Sequence, residues 1–176
     1  MQPSLTRRTA GLAALATLVA LAAGCASKPD VRADQEPGND LKAYRSFAFY
    51  DTASPAYMSL LEQRVRAATR EQLERAHYSY DERHPDLRVN YALHMVEKQE
   101  LRSTPGRFGY RTSGIESVEY RQGTLAIDLV DVRRNALVWR AVAEGRLDAK
   151  AIEQPGPTVD AVVGEMFARL PGAAKP

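Results

Sequence analysis

Alternation of apolar and polar side chains predicts strands in two central segments of the chain. Residues 44–51, YRSFAFYD, place Phe47 and Phe49 on one side. In residues 87–99, LRVNYALHMVEKQ, the odd-numbered side chains from Leu87 to Met95 share one face. A period of two is typical of a strand with one buried face, and it is common in antiparallel sheets. We therefore expect both segments to lie in a sheet whose apolar face packs on the core.

A hairpin is predicted between residues 123–131, GTLAIDLVD, and residues 136–147, ALVWRAVAEGRL, with VRRN as the connecting turn. Alternation directs the following side chains inward: Leu125, Ile127, Leu129, Leu137, Trp139 and Ala141. Asp131 starts the turn, where an aspartate usually accepts backbone N–H groups. Arg140 points away from the apolar side, and we expect it to form an ion pair across the hairpin.

Helical periodicity predicts two amphipathic helices. Over residues 58–76 the apolar face comprises Leu60, Leu61, Val65, Ala68 and Leu73. Glu62 and Arg66 lie four positions apart on the other face, which is the spacing of an ion pair.

The second helix covers residues 159–170, where the apolar positions follow the spacing i, i+3, i+4, i+7, i+8 and i+11. Thr158 is the expected N-cap, and Pro171 with Gly172 ends the helix.

Two segments lack a sustained period. Residues 25–40 are polar, with two prolines and a glycine, and are predicted to form a flexible tether. Residues 100–121 hold three glycines and a proline and are predicted to form a long loop. That loop combines cations with aromatic rings, a mixture enriched at interfaces. Its candidate partner-binding residues are Arg107, Phe108, Tyr110 and Arg111.

With a short strand at residues 77–80, the predicted order of elements is β-α-β-β-β-β-α. This order predicts an α+β fold, a two-layer sandwich of a mostly antiparallel sheet with two helices on one face. The domain would cover residues 41–171 and leave a tail at 172–176.

The N-terminus has the pattern of an export signal. Arg7 and Arg8 precede residues 10–23, which carry no charge. Fourteen helical residues span about 21 Å, too short for the roughly 30 Å hydrocarbon core but suitable for a signal peptide. The residues before Cys25, the only cysteine, are small and resemble the lipobox of bacterial lipoproteins. That resemblance implies cleavage between Gly24 and Cys25 and a lipid on the cysteine thiol.

The composition of the mature chain restricts the kinds of partner that we expect it to bind. Removing residues 1–24 takes away two arginines and leaves equal numbers of basic and acidic residues. Nucleic-acid binding, which needs clustered surplus Lys and Arg, is therefore not expected. Ala26 follows the cysteine, where lipoproteins kept at the inner membrane commonly have Asp. We expect an outer-membrane anchor, a domain facing the periplasm, and a partner that is another envelope protein.

The domain itself resembles a known family. Residues 40–51, 84–94, 120–145 and 159–171 are similar to the DUF4136 lipoproteins of Gram-negative bacteria, and the stretch GTLAIDLVD with LVWR is the most specific piece. Ala141 stands where the family usually has glycine. The resemblance implies a periplasm-facing lipoprotein of unknown role and brings no catalytic residues with it.

No constellation in the sequence points to catalysis. The three histidines are scattered, no second cysteine offers a zinc site, and neither a Gly-x-Ser-x-Gly nor a phosphate-binding glycine loop occurs. No cofactor, metal or catalytic residue is therefore expected. Three functions stay open: a non-enzymatic binding module, a carrier with a lipid cavity lined by Leu93, Trp139 and Phe167, and an unrecognised hydrolase.

Overall fold

The computed structural model describes residues 28–50, 58–104 and 114–171 of the 176-residue chain. Within these ranges the chain forms six strands and three helices. They are β1 (Asp30–Gln35), β2 (Ser46–Phe49), α1 (Leu60–Arg75), β3 (Ser79–Tyr80), β4 (Leu87–Thr104), β5 (Gly114–Asp131), β6 (Ala136–Leu147), α2 (Ala149–Glu153) and α3 (Pro155–Phe167). A turn of 3₁₀ helix covers Leu41–Ala43. The predicted α+β class is confirmed.

All six strands form one sheet in the order β1-β6-β5-β4-β2-β3. The sheet is mixed, so the prediction of a mostly antiparallel sheet is wrong. β2 runs parallel to both β4 and β3, whereas the other neighbours are antiparallel. The reason is the connection: α1 separates β2 from β4, and a helical crossover returns the chain in the same direction.

The strand register aligns the apolar side chains in rows across the sheet. One row runs from Val31 through Ala143 and Leu125 to Leu93. Directly opposed residues point to the same face, so each row buries its members together. The alternation predicted for β2 and β5, and for β4 as far as Leu93, is confirmed. Met95, on the same predicted face, is 62% exposed because it lies beyond the core. The buried residues are Phe47, Phe49, Leu87, Val89, Leu125, Ile127 and Leu129.

The first helix starts at a capping box. Ser59 Oγ accepts the N–H of Glu62, and Glu62 in turn accepts the N–H of Ser59. The carboxylate of Glu62 is thus used in the capping box, and the Cζ atom of Arg66 lies 4.5 Å from the centroid of the Phe49 ring. The predicted Glu62–Arg66 ion pair is therefore not formed. Leu60, at the first helical position, is 84% exposed rather than inward.

The last helix begins at Pro155, four residues before the predicted start at Val159. Proline suits the first turn because its missing N–H would have no partner there. Thr158 therefore lies inside the helix instead of capping it, and its Oγ1 donates to the carbonyl of Gln154 at 3.3 Å. The predicted apolar face is confirmed, and the ring of Phe167 packs 5.3 Å from that of Trp139.

A β-bulge interrupts the β5–β6 pairing between Leu129 and Val130. Leu129 pairs with Trp139 but Val130 pairs with Leu137, which leaves Val138 as the extra residue. The bulge shifts the side chains before Trp139 by one position. Val138 is fully buried and Leu137 is 43% exposed, so the prediction that Leu137 points inward is wrong.

The predicted tether over 25–40 also needs correction, because Asp30–Gln35 form the edge strand β1. β1 pairs with β6 along its whole length, from Asp30 opposite Glu144 to Gln35 opposite Trp139. A single buried side chain, Val31, and the half-buried Ala33 suffice to hold an edge strand whose other face is charged. The folded domain thus begins close to Cys25.

Candidate functional site

The site residues expected from the sequence fall outside the described ranges. These are Gly24, Cys25, Arg107, Phe108, Tyr110 and Arg111. No helix in the described part of the chain is long and apolar enough to span a bilayer. The described residues nevertheless define the surroundings of the candidate lipid-attachment residue and of the candidate partner-binding loop.

The chain enters the domain at one end of the sheet. Pro29, just before β1, lies beside Gly145: a Cβ placed on Gly145 would come within 3.3 Å of the Pro29 Cα atom. Gly145 pairs with Gly123 of β5, which pairs with Met95 of β4. Pro29, which follows the predicted anchor segment, is therefore at the same height in the sheet as Met95. At this end β4 extends beyond β6.

At this same end β4 and β5 continue as a two-stranded extension. The pairing of β6 stops where Leu147 meets Arg121, whereas β4 and β5 stay paired from Lys98 opposite Tyr120 to Thr104 opposite Gly114. We call residues 98–104 with 114–120 the arm. The prediction of a loop over 100–121 is therefore wrong for the residues that the structure describes on either side of 105–113.

One face of the arm carries two highly exposed apolar side chains. Leu101 is 71% exposed and Ile115 is 76% exposed. Leu101 lies opposite Ser117 and Ile115 opposite Ser103, so the two are diagonal neighbours on the same face of the ladder. This face continues the side of the sheet on which Leu93 packs against the core.

The other face of the arm is stabilised by ionic contacts. Arg146 stacks on the ring of Tyr120, with 3.7 Å from its Cζ to the ring centroid. The same guanidinium donates to Glu100 at 2.7 Å, and Arg102 donates to Glu100 at 3.3 Å. The hydrogen bonds from Arg102 and Arg146 lower the pKa of Glu100 below its ordinary value. This glutamate is therefore a paired anion, and each of these groups is at least one-third exposed.

A second polar cluster lies at the opposite end of the sheet, around Asp131. Its carboxylate accepts from the backbone N–H groups of Arg133 and Arg134 at 2.8 and 3.0 Å, which confirms the predicted turn role. It also accepts from Arg134 Nε at 2.8 Å and from the Tyr44 hydroxyl at 2.9 Å. Burial alone would raise the pKa of Asp131, but these hydrogen bonds outweigh it and hold that pKa far below its usual range.

Arg134 joins this cluster to the segment after β1. Its two terminal nitrogens donate to Glu36 at 2.9 and 2.7 Å, and these bonds lower the pKa of Glu36. A shallow cavity of about 560 Å³ lies beside Tyr44 and Arg134. Nothing in the local spacing of the sequence predicts the contact of Tyr44 or Glu36 with Asp131 and Arg134, since 87 residues separate Tyr44 from Asp131.

The chemistry of the Asp131 cluster is structural. A carboxylate offers about four lone-pair positions, and Asp131 already accepts four hydrogen bonds. It therefore has no free position to act as a base or to bind a metal. In the described part of the chain, no group of three or more His, Cys, Asp and Glu residues could hold a metal ion.

The ion pair expected across the hairpin is confirmed. Arg140 donates from Nε and from a terminal nitrogen to the two oxygens of Asp128, at 2.6 and 2.8 Å. Asp128 is 8% exposed although it lies on the face opposite Trp139. The pair links β5 to β6, and each carboxylate oxygen of Asp128 accepts a hydrogen bond from Arg140.

Comparison with known families identifies the domain. The model of the family described as "Domain of unknown function (DUF4136)" matches residues 31–172. The match spans nearly the whole described region and confirms the resemblance stated from the sequence. Comparison with curated protein sequences finds no match.

Solved structures share the fold at low identity. A PDZ domain protein from Parabacteroides distasonis ATCC 8503 is 13% identical with a TM-score of 0.56, over 82% of this chain and 36% of that one. The chain thus spans about a third of that protein, and the likeness concerns the fold alone. Two PelC dodecamers from Paraburkholderia phytofirmans have TM-scores of 0.48 and 0.47 at 14% and 13% identity, each over 84% of this chain and 99% of that one.

Proposed function

Given that the chain belongs to the DUF4136 family, a family of unknown function, we propose that it is a lipid-anchored, non-enzymatic envelope protein. Cys25 would carry the lipid, and the domain would bind a further component of the envelope at its periplasmic side. The single observation that supports the anchor is the position of the only cysteine, directly after an uncharged run and small residues. A thiolate is the side chain best suited to accept a diacylglyceryl group.

A binding role is favoured over catalysis because the strongest polar cluster is fully used in holding the fold. Asp131 has its acceptor positions filled, and Asp128 is held by both branches of Arg140. The arm, by contrast, exposes Leu101 and Ile115, which contribute nothing to the core. Exposed apolar side chains on a projecting element are typical of a contact surface.

The geometry does not favour the carrier function. Trp139 and Phe167, which a lipid cavity would separate, lie in ring contact and are 1% and 2% exposed. The arrangement of α1 and α3 as one layer over the sheet, as in a two-layer sandwich, is part of this proposal. It is supported by Arg66 of α1 and Phe167 of α3, which contact Phe49 and Trp139 of the same cross-strand row.

Mass spectrometry and fractionation test the anchor. In a Gram-negative host, the wild-type chain should start at Cys25, carry acyl chains there, and float with outer-membrane vesicles in a density gradient. Cys25→Ser should abolish acylation and leave the membrane fraction, whereas the control Ser27→Ala should behave as wild type. An unmodified Cys25, or an N-terminus elsewhere, contradicts the proposal. Ala26→Asp should move the protein to the inner membrane if sorting follows that position.

A further inference from the structure

The following inference rests on the lipid anchor at Cys25 proposed above. The chain that follows this anchor enters the sheet at the end from which the arm extends. β1 is antiparallel to β6, so its first residue Asp30 pairs with Glu144, near the end of β6. β4 runs in the same direction as β6 and continues past it into the arm. The chain therefore enters the domain at the base of the arm.

The covalent length between the anchor and the domain is short. Four residue steps lead from Cys25 to Pro29, and they reach at most about 14 Å when fully extended. Pro29 lies beside Gly145, level with Met95. The surface of the bilayer must therefore pass within this distance of Pro29, at the end of the sheet from which the arm extends.

The remainder of the sheet is longer than this reach. From Gly145 back to Ala136, at the far end of β6, nine residue steps cover about 30 Å. Cys25 cannot extend past the body of the domain to that end. An orientation in which the turn at 132–135 rests on the membrane and the arm points away from it is excluded by length.

The arm is equally long in the other direction. From Met95 to Thr104 nine steps of β4 cover about 30 Å, which is twice the reach of the anchor segment. With the chain entry held within this reach and the equally long body of the sheet on its other side, the arm cannot stand upright away from the membrane; it runs close to the bilayer or points towards it. This holds for any conformation of the anchor segment, since the reach is an upper bound.

The side chains of the arm match an interface between lipid and water. Leu101 and Ile115 present apolar surface on one face, without burial in the protein, and Glu119 on the same face, nearer the base, accepts a hydrogen bond from Gln99 at 2.9 Å. Glu100 is neutralised by Arg102 and Arg146 on the other face, which limits its repulsion from anionic lipids. Tyr120, stacked under Arg146, is of the type enriched at membrane interfaces.

We propose that the arm is a membrane-contacting element, with Leu101 and Ile115 inserted at the boundary between headgroups and acyl chains of the leaflet that holds the Cys25 lipid. Interfacial apolar faces of this kind lie about 5–10 Å deep. The arm would act with the acyl chains as a second attachment and fix the orientation of the domain on the membrane. The envelope component bound by the arm is then the bilayer itself.

The experiment uses the full chain, purified as the lipidated protein and reconstituted in vesicles of phosphatidylethanolamine and phosphatidylglycerol. Because Cys25 is the only cysteine and its thiol is occupied by lipid, Leu101→Cys or Ile115→Cys provides the only free thiol. The matched control is Val132→Cys, 41% exposed in the turn at the opposite end of the sheet. Each variant is labelled with an environment-sensitive NBD fluorophore, and part of the lipid is replaced by lipid with brominated acyl chains.

We expect bromination to quench the labels at positions 101 and 115 at least about twofold more than the label at 132. A label buried about 5–10 Å deep comes close to the acyl chains, which carry the bromine atoms, whereas a label in the turn at 132 does not. Equal, weak quenching at all three positions in protein whose Cys25 is acylated overturns the arm proposal and leaves the anchor intact. If the NBD fluorescence at positions 101 and 115 changes with protein density but not with bromination, the membrane-contact proposal is overturned in favour of a protein partner. Absence of acyl mass on Cys25 refutes the anchor itself, and the inference with it.

Discussion

The hydroxyl of Tyr44 donates a 2.9 Å hydrogen bond to Oδ2 of Asp131, and it also accepts from Asn39 and Arg134. Tyr44 is 7% exposed and Asp131 is 2% exposed. The bond joins the segment between β1 and β2 to the end of β5. It therefore fastens the segment that follows β1 to the β5–β6 hairpin, at the end of the sheet opposite the arm.

Tyr44→Phe removes this donor and leaves a buried carboxylate with one bond fewer. We expect the free energy of unfolding to fall by about 1.5–3 kcal/mol, the usual range for a hydrogen bond to a charged group. Urea denaturation of the detergent-solubilised protein, followed by the fluorescence of Trp139, measures it. The matched control is Tyr80→Phe, whose hydroxyl bonds the exposed Glu82, with an expected loss below about 0.5 kcal/mol. Equal losses of unfolding free energy in the two variants would show that the hydrogen bond to Asp131 stabilises the protein no more than the exposed bond to Glu82 does.

Asp131 also predicts a dependence of stability on pH. Its pKa is lower in the fold than the ordinary value of 3.8, so the folded state binds this proton more weakly than the unfolded state. The stabilisation is complete above about pH 5 and is lost as the pH falls below about 4. The difference in unfolding free energy between wild type and Asp131→Asn should therefore narrow between pH 5 and pH 3. A difference that is constant over this range would contradict the prediction.

The Arg140–Asp128 pair depends on geometry as well as charge. Arg140→Lys keeps the positive charge but loses the two parallel hydrogen bonds, which a single ammonium cannot replace. Since Arg140 is about half exposed, we expect a loss near 1 kcal/mol in the same unfolding assay. Arg75→Lys, at the exposed pair with Glu71, serves as control and should change stability by less than about 0.3 kcal/mol. If both substitutions cost the same, the bidentate geometry is irrelevant.

The sequence predicts those elements that bury one face and misses those that do not. β4 is recognised as far as Gln99 and β5 from Gly123 onward, because alternation near the core reflects burial there. The arm carries the same strands onward with both faces exposed, so no apolar period marks it. The strand β1 is hidden for a related reason, since only Val31 of its six residues is fully buried.

The parts of the candidate site differ in the same way. Cys25 is predictable because its signal is local, a few small residues after an uncharged run. The entry of the chain at the end of the sheet from which the arm extends is not predictable, since it depends on how β1 pairs with β6. Asp131 is recognisable as a turn residue, but its contact with Tyr44 arises only when the strands are assembled.

The β-bulge in the β5–β6 pairing allows the strict alternation of the sequence to be tested against the register that the structure shows. Strict alternation makes Leu137 a core residue and Val138 a surface residue, whereas the register shift after Leu129 buries Val138 and exposes Leu137. Val138→Ala should therefore destabilise the protein by about 1–2 kcal/mol, since it removes buried methyl groups and leaves a cavity. Leu137→Ala should cost less than about 0.5 kcal/mol although it removes more atoms, because a 43% exposed side chain gives up little burial. Urea denaturation of the two variants measures both values, and a larger loss for Leu137→Ala would place the bulge elsewhere.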